Sequence, residues 1–229
     1  MLSTEKKTII VAIDGPAGAG KSTVAKALAG RLNFSYIDTG AMYRALTLKA
    51  LREKINFENE DALVQLARKT SIDLQGNPQN GLKVLLDGND VSAEIRTIEV
   101  TNSTFHVARA PKVREVLVTW QREIGRKKNI VMEGRDIGTV VFPQARYKFY
   151  LDAESDVRAQ RRIKELQEKG KDVDAQKIKN ELKERDHKDR SRTAGPLKKA
   201  EDAIYIDSTN LSADQVVEKM MSFMTDLSK

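Results

Sequence analysis

GPAGAGKS, Gly15 to Ser22, follows the apolar run Ile9-Ile10-Val11-Ala12-Ile13 and opens a stretch of helical spacing. A Gly-x4-Gly-Lys-Ser segment between a strand and a helix reads as a phosphate-binding P-loop. Its glycines let backbone N–H groups turn inward around phosphate oxygens, and the following helix presents its positive end to the same anion. Lys21 is placed to neutralise β and γ phosphates and Ser22 to ligate Mg2+. Asp14, just before the loop, either holds a water of the Mg2+ shell or caps the loop's free N–H groups.

Outward from the loop, short apolar runs alternate with segments of period near 3.6. Thr8 to Ile13 reads as the first strand and Lys21 to Leu32 as the first helix, with Val24, Ala25, Leu28, Ala29 and Leu32 on one stripe. Phe34 to Ile37, Ile130 to Met132, Tyr147 to Leu151 and Ala203 to Ile206 read as further strands. Helices are expected at Ala41 to Lys54, Glu60 to Lys69, Ile98 to Ala108, Pro111 to Lys127, Ser155 to Lys169, Asp174 to Arg190 and Ala213 to Leu227. Ser155 is expected to cap its helix and Gly170 to end it. The methionines of the last helix, Met220, Met221 and Met224, read as core filler.

Between about Ile72 and Arg96 the period changes to that of a small antiparallel hairpin, turning at Gly76 to Gly81 and closed by Asp87-Gly88-Asn89-Asp90, separate from the main sheet. Repeated strand-helix-strand units predict an α/β fold, a parallel sheet covered by helices on both faces, with ligands at the carboxyl ends of the strands. Asp38, Glu133 and Asp152 follow their strands and would ring that edge, so one cleft is expected. We read a single domain: a core of about 1–38, 128–154 and 200–229, an arm of about 39–127 carrying the β insertion, and a lid of about 155–199.

The 229 residues contain no cysteine, which excludes disulfides, a thiolate nucleophile and Cys-ligated metal. The first apolar run ends at Asp14, too short for a signal-peptide core or a membrane span, so a cytoplasmic protein is expected. The net charge is +7. Residues 155–199 hold 15 Lys or Arg against 9 Asp or Glu, a surplus of six, but the signs are interspersed, as in ERDHKDRSR, Glu184 to Arg192. A polyanion-binding face would be cleaner and carry stacking aromatics. Small phosphates fit better than nucleic acid as partners.

A P-loop alone does not name a reaction. The Asn-Lys-x-Asp signature of a guanine-selective switch is absent, and Asp73-x-x-Gly76 falls in the predicted hairpin. Gly134-Arg135-Asp136 follows a predicted strand, and Arg44 and Arg114 come from separate helices; arginine forks on several elements suit an anion between them. Asp136 beside them can accept from an exocyclic amine, the feature that separates cytosine from uracil. Arg158, Arg161 and Arg162 on one helix and Arg185, Asp189, Arg190 and Arg192 on or after the next form an arginine-rich pair hinged near Gly170 and at Thr193-Ala194-Gly195-Pro196. This reads as a mobile lid that excludes water from a phosphoryl group. His106 and His187 lack metal-ligand spacing and read as ordinary surface or core residues.

These segments together resemble the bacterial cytidylate kinases, within the nucleoside monophosphate kinases. The likeness spans nearly the whole chain and rests on IDGPAGAGKST from Ile13, DTGAMYRA from Asp38, LLDGNDVSAEIRT from Leu85, GRDIGTVVFP from Gly134, LQEKG from Leu166, KERDHKDRSR from Lys183 and DST from Asp207. The resemblance implies Mg2+-dependent transfer of the ATP γ-phosphoryl to CMP or dCMP, by a monomer without nucleic-acid or membrane partners. A kinase for UMP or AMP is the nearest alternative, and a basic nucleic-acid-binding P-loop protein a remote one.

It also implies site residues. ATP is held by Gly15, Pro16, Ala17, Gly18, Ala19, Gly20, Lys21, Ser22 and Thr23, with Arg158 and Arg161 from the lid. Arg114 and Asp136 contact cytosine, Arg185 and Asp189 the sugar, Tyr43, Arg44, Arg135 and Arg192 surround the acceptor phosphate, and Thr39 also belongs to the CMP site. Lys21, Arg135, Arg162 and Arg192 stabilise the transferring group. Some members present a serine to the base where this chain has Phe105, with Ser103 and Thr104 the neighbouring hydroxyls.

Overall fold

The computed structural model describes residues 8–77, 81–168, 170 and 172–225. β1 (Ile10–Asp14) lies at the centre of a five-stranded, wholly parallel sheet that also contains β2 (Ser35–Asp38), β6 (Ile130–Gly134), β7 (Tyr147–Asp152) and β8 (Ile204–Asp207). The strand order is β2-β6-β1-β7-β8. Val11, Ala12, Ile13, Ile130, Val131, Met132, Phe149 and Leu151 are buried. These near-continuous apolar runs are what a sheet covered on both faces requires.

Register sets the functional edge. Asp38 pairs with Glu133, Asp14 with both Gly134 and Tyr150, and Asp152 with Asp207, so the carboxyl ends of all five strands are level. β6 extends two residues beyond the predicted Met132, which puts Glu133 inside the strand rather than after it. A single π turn follows at Ile137–Val141, its peptide N–H groups at Val141 and Phe142 reaching back five residues. Periodicity over five residues cannot reveal such a turn.

Helices α1 (Lys21–Leu32) and α8 (Ala213–Ser222) pack on one another, while α2 (Thr39–Arg52), α3 (Glu60–Arg68), α4 (Ile98–Arg109) and α5 (Pro111–Lys127) form a second apolar cluster around Leu46, Leu63, Ala67, Val107, Val113 and Leu117. The insertion is a three-stranded sheet, not a two-stranded hairpin: β3 (Ile72–Asn77), β4 (Gly81–Leu86) and the short β5 (Asn89–Asp90), with its predicted turn at 78–80 outside the described residues. It shares no ladder with the main sheet. Its inner side chains, Leu74, Val84, Leu86 and Val91, nonetheless join the main core.

α6 (Ser155–Glu168) and α7 (Ala175–Ser191) follow β7. Ser155 is the first helical residue and not the cap, since the Glu154 carbonyl accepts the first helical bond, from Arg158 N–H. Asp174 is the cap of α7, accepting from the N–H groups of Gln176 and Lys177. In α8, Met220 is buried and Met221 partly exposed, Met224 is buried just past the helix, and Leu227 lies outside the described residues.

Candidate active site

The glycine loop leaves the end of β1 at Gly15, where β7 passes so close that a Cβ would stand 1.9 Å from the Leu151 carbonyl oxygen. No larger residue fits there. The loop ends at Gly20 (φ 88°), and α1 then starts with no side-chain cap and no acid in its first turn. Its free N–H groups and positive dipole end therefore await an anion from outside the chain. Lys21 is buried and donates to the Pro16 carbonyl at 2.7 Å, closing over the loop. Burial, and after it the charge of Arg135, lowers its pKa to about 7. Ser22 and Thr23 are exposed, the Ser22 hydroxyl near enough to Glu133 to stabilise its carboxylate.

Asp14 does not cap the glycine loop. Its oxygens accept from the N–H groups of Ile137 (2.8 Å) and Gly138 (2.7 Å), so it pins the π turn after β6. Burial raises its pKa to about 6. The carboxylates that face each other at the edge are Asp38 and Glu133, both buried, with Tyr36 donating to Glu133 at 2.5 Å. Burial and then the Asp38 charge raise the Glu133 pKa. Sequence reading had put Glu133 at this edge without giving it a task; only the pairing register shows it opposite Asp38.

A second set of charges gathers beside the loop. Arg114 donates to the carboxylate of Asp136 and, at 3.2 Å, to the Ala108 carbonyl. Arg135 donates from Nε to Asp189 Oδ2 at 2.8 Å, and Arg192 lies 3.8 Å from Asp136 and 3.9 Å from Asp189. Burial works against the Asp189 carboxylate, but Arg135, Arg185 and Arg192 outweigh it and hold its pKa below the ordinary value. Arg185 is lowered to about 10, by burial first and then by Arg135, Arg44 and Arg162. Arg44 donates to Asp38 at 2.8 Å, while its Nε and the buried Tyr43 hydroxyl have no hydrogen-bond partner among the described residues. Unspent donors next to crowded cations are the mark of an anion pocket. Arg96, not singled out from sequence, contributes positive charge at Asp38.

Other expected residues are engaged with the chain itself. The Thr39 hydroxyl donates to the Glu133 carbonyl at 2.7 Å. Arg158 is buried, donating to the carbonyls of Ala153 and Ala17 (both 3.0 Å) and to Asp186 (2.5 Å), so its guanidinium fixes the loop from outside. Arg161 holds Ser208 through its hydroxyl (3.0 Å) and carbonyl (2.6 Å), and Arg162 pairs with Glu165 at 2.7 Å. Both arginines remain partly exposed. Thr104 donates to the Val100 carbonyl at 2.6 Å, and Phe105 lies under Arg109 and Lys188, 5.7 and 5.4 Å from its ring centre. His106 packs beside Phe57 on the same exposed rim.

A glycine loop on the central strand of a parallel sheet, with arginines from three separate segments at its carboxyl edge, defines a P-loop phosphotransferase. The family model for cytidylate kinase matches residues 11–226, and the chain belongs to the cytidylate kinase family. It is 53% identical over 221 residues to a cytidylate kinase of Desulforamulus reducens, covering 96% of this chain and 98% of that one. It is 52% identical over 213 residues to a cytidylate kinase of Caldanaerobacter subterraneus subsp. tengcongensis, covering 93% of each. Among solved structures, a gluconokinase from Sinorhizobium meliloti 1021 shares the fold, with a TM-score of 0.50, 12% identity and coverage of 96% of this chain and 93% of that one. No helix among the described residues is long and apolar enough to cross a membrane.

Proposed function

We infer that the chain transfers the γ-phosphoryl group of ATP to CMP and dCMP, giving CDP and dCDP. The observation that carries this reading is the crowding of Lys21, Arg135 and Arg185 at one edge of the sheet, where burial and mutual repulsion hold Lys21 and Arg185 below their ordinary pKa values. Arg135 is answered by Asp189, but Lys21 and Arg185 keep depressed pKa values beside it, and the phosphates of two nucleotides end to end would restore them. The donor triphosphate lies along Gly15 to Thr23 and the acceptor phosphate among Tyr43, Arg44, Arg135 and Arg192.

The acceptor is a phosphate oxygen, already ionised at neutral pH, so no general base is required. Catalysis is positioning plus electrostatic stabilisation. Lys21 acts on the donor, Arg44, Arg135 and Arg192 on the acceptor, and Arg161 and Arg162 on the donor side from the lid. Asp136, held by Arg114, accepts from the exocyclic amine of cytosine; Arg185 and Asp189 meet the sugar. Every group invoked belongs to one chain, so the reading needs only a monomer, acting in the cytoplasm where ATP and monophosphates meet.

The donor set at the edge fits Mg2+. Asp38 and Glu133 are buried carboxylates side by side with Ser22 near, and the described residues hold no cluster of three or more His, Cys, Asp or Glu that would cage a metal alone. Mg2+ commonly binds through one or two carboxylates plus phosphates and water. Ser22, with Glu133 in place of the expected Asp14, would hold it, and when bound it would offset charge between the phosphates.

A coupled assay with ATP against CMP, dCMP, UMP and AMP tests the reading. Turnover highest on the two cytosine nucleotides is the expected result. Preference for UMP or AMP would remove base reading by Arg114 and Asp136.

A further inference from the structure

Ala17, at the outer rim of the glycine loop, has both of its backbone polar groups held by the lid. Its N–H donates to Asp186 Oδ1 at 3.4 Å, and its carbonyl accepts from Arg158 at 3.0 Å; the same Arg158 donates to Asp186 Oδ2 at 2.5 Å. Both side chains are buried, Arg158 to 7% and Asp186 to 4% exposure. The first turn of α6 packs on Gly18, where a Cβ would meet the Arg158 Cβ and carbonyl oxygen at 3.0 Å. In α7 only Ile178 and Asp186 are buried, with Leu182, Arg185, Lys188 and Asp189 part-buried and the rest exposed.

Burying such a pair for stability alone is poor chemistry, since apolar residues of like volume do as well or better. Its location suggests another use. One step around the same helix, Arg185 and Asp189 share a face turned to the acceptor pocket, Asp189 gripping Arg135, and Arg192 just past the helix end reaching Asp136. A continuous helix thus touches the triphosphate loop at Asp186 and the monophosphate pocket at Asp189.

We propose that Asp186, paired with Arg158, is a positioning residue that couples the two nucleotide sites: monophosphate bound against Asp189 and Arg192 sets α7, and Asp186 sets Ala17 and the loop behind it. The inference rests on the functional reading above. Coupling between sites is reciprocal, so triphosphate tightens monophosphate binding by the same factor.

Two measurements test it. In the unaltered protein, saturating CMP without ATP should slow hydrogen exchange of the Ala17 to Lys21 amides. Separately, CMP affinity is measured with and without an unreactive ATP analogue, for the unaltered protein and for Asp186→Asn. The analogue should tighten CMP binding by roughly 5- to 150-fold in the former, the usual range for coupled sites. In Asp186→Asn the ratio should fall close to one, with CMP affinity alone little changed and the thermal midpoint lowered by loss of the buried pair. CMP binding that leaves the loop amides untouched overturns the coupling, and so does an Asn variant that keeps the full ratio. If the variant does not fold, the exchange measurement decides. Failure to bind CMP at all would remove the functional reading and this coupling with it.

Discussion

Arg192 Nη2 stands 3.8 Å from Asp136 Oδ1, joining the end of α7 to the carboxylate that follows β6. The same guanidinium is 3.9 Å from Asp189, and its Nε donates to the Gly195 carbonyl at 2.6 Å. One arginine therefore lies beside Asp136, the last turns of α7 and the Gly195 segment. A planar fork holds its donors in fixed directions, whereas an ammonium's three donors turn on a flexible stem. Arg192→Lys is expected to lower kcat by about 10²- to 10³-fold, the loss typical of one preorganised donor, in single-turnover assays. A change under threefold would remove Arg192 from the reacting group.

In the proposed reading base choice falls to Asp136, which is buried and held by Arg114. Asp136→Asn keeps its volume but replaces an acceptor with a donor at the position opposed to the cytosine amine. Its kcat/KM for CMP should fall far more than for UMP, by up to about four orders of magnitude where a buried polar contact is lost. Parallel losses on both substrates would mean that Asp136 serves only Arg114 and Arg192.

Lys21→Ala should abolish turnover while leaving the thermal midpoint near that of the unaltered protein. The pH behaviour of Lys21 gives a finer test. Its folded pKa is about 7 against an ordinary 10.5, so between those values the folded chain binds fewer protons than the unfolded one, and the contribution of Lys21 to stability rises with pH across that window. A triphosphate favours the charged form and raises the pKa again. ATP binding at pH 8 should therefore take up protons, measured from the dependence of calorimetric enthalpy on buffer ionisation, and the uptake should vanish in Lys21→Met.

Gly195 adopts φ 56°, and a Cβ there would stand 2.3 Å from both Arg114 Nη2 and Asp136 Oδ2. Gly195→Ala combines a left-handed backbone with a clash against the Arg114–Asp136 pair. The expected result is a KM for CMP raised at least about tenfold with ATP affinity unchanged, since the strain falls on one side of the cleft. Equal damage to both affinities would point to loss of fold instead.

Phe149, 1% exposed in β7, supports the sheet beneath the glycine loop. Phe149→Ala should destabilise by about 3–5 kcal/mol through lost burial and the cavity left behind. Chemical denaturation would show this as a lower midpoint, and an unchanged midpoint would contradict the packing described.

Much of this was legible in residue order. The helix Lys21–Leu32 and the start of the helix at Pro111 were read to the residue, because a glycine loop and a proline punctuate the chain over a few positions. The parallel sheet followed from alternation of strand and helix. Thr39 and Arg158 are expected at substrate, and Asp14 at the metal's water or the glycine loop; all three are found bonded to the chain's own backbone, because a side chain's type says which bonds it can make and not which partner reaches it first. Glu133 is placed at the strand edge by its position but given no partner there, and Asp186 carries no local signal at all. A carboxylate in a charged helix looks the same whether it faces water or a loop.

What the sequence by itself determined is local: where the backbone can turn, which runs bury, which residues carry charge, since these depend on forces that act within a turn or a strand. The tertiary structure decided which charges meet. Arg114 finds Asp136 across 22 positions and Ala17 finds Asp186 across 169, because the order β2-β6-β1-β7-β8 brings the carboxyl ends of distant strands to one edge. Electrostatics and burial act through space, and only the folded chain sets those distances.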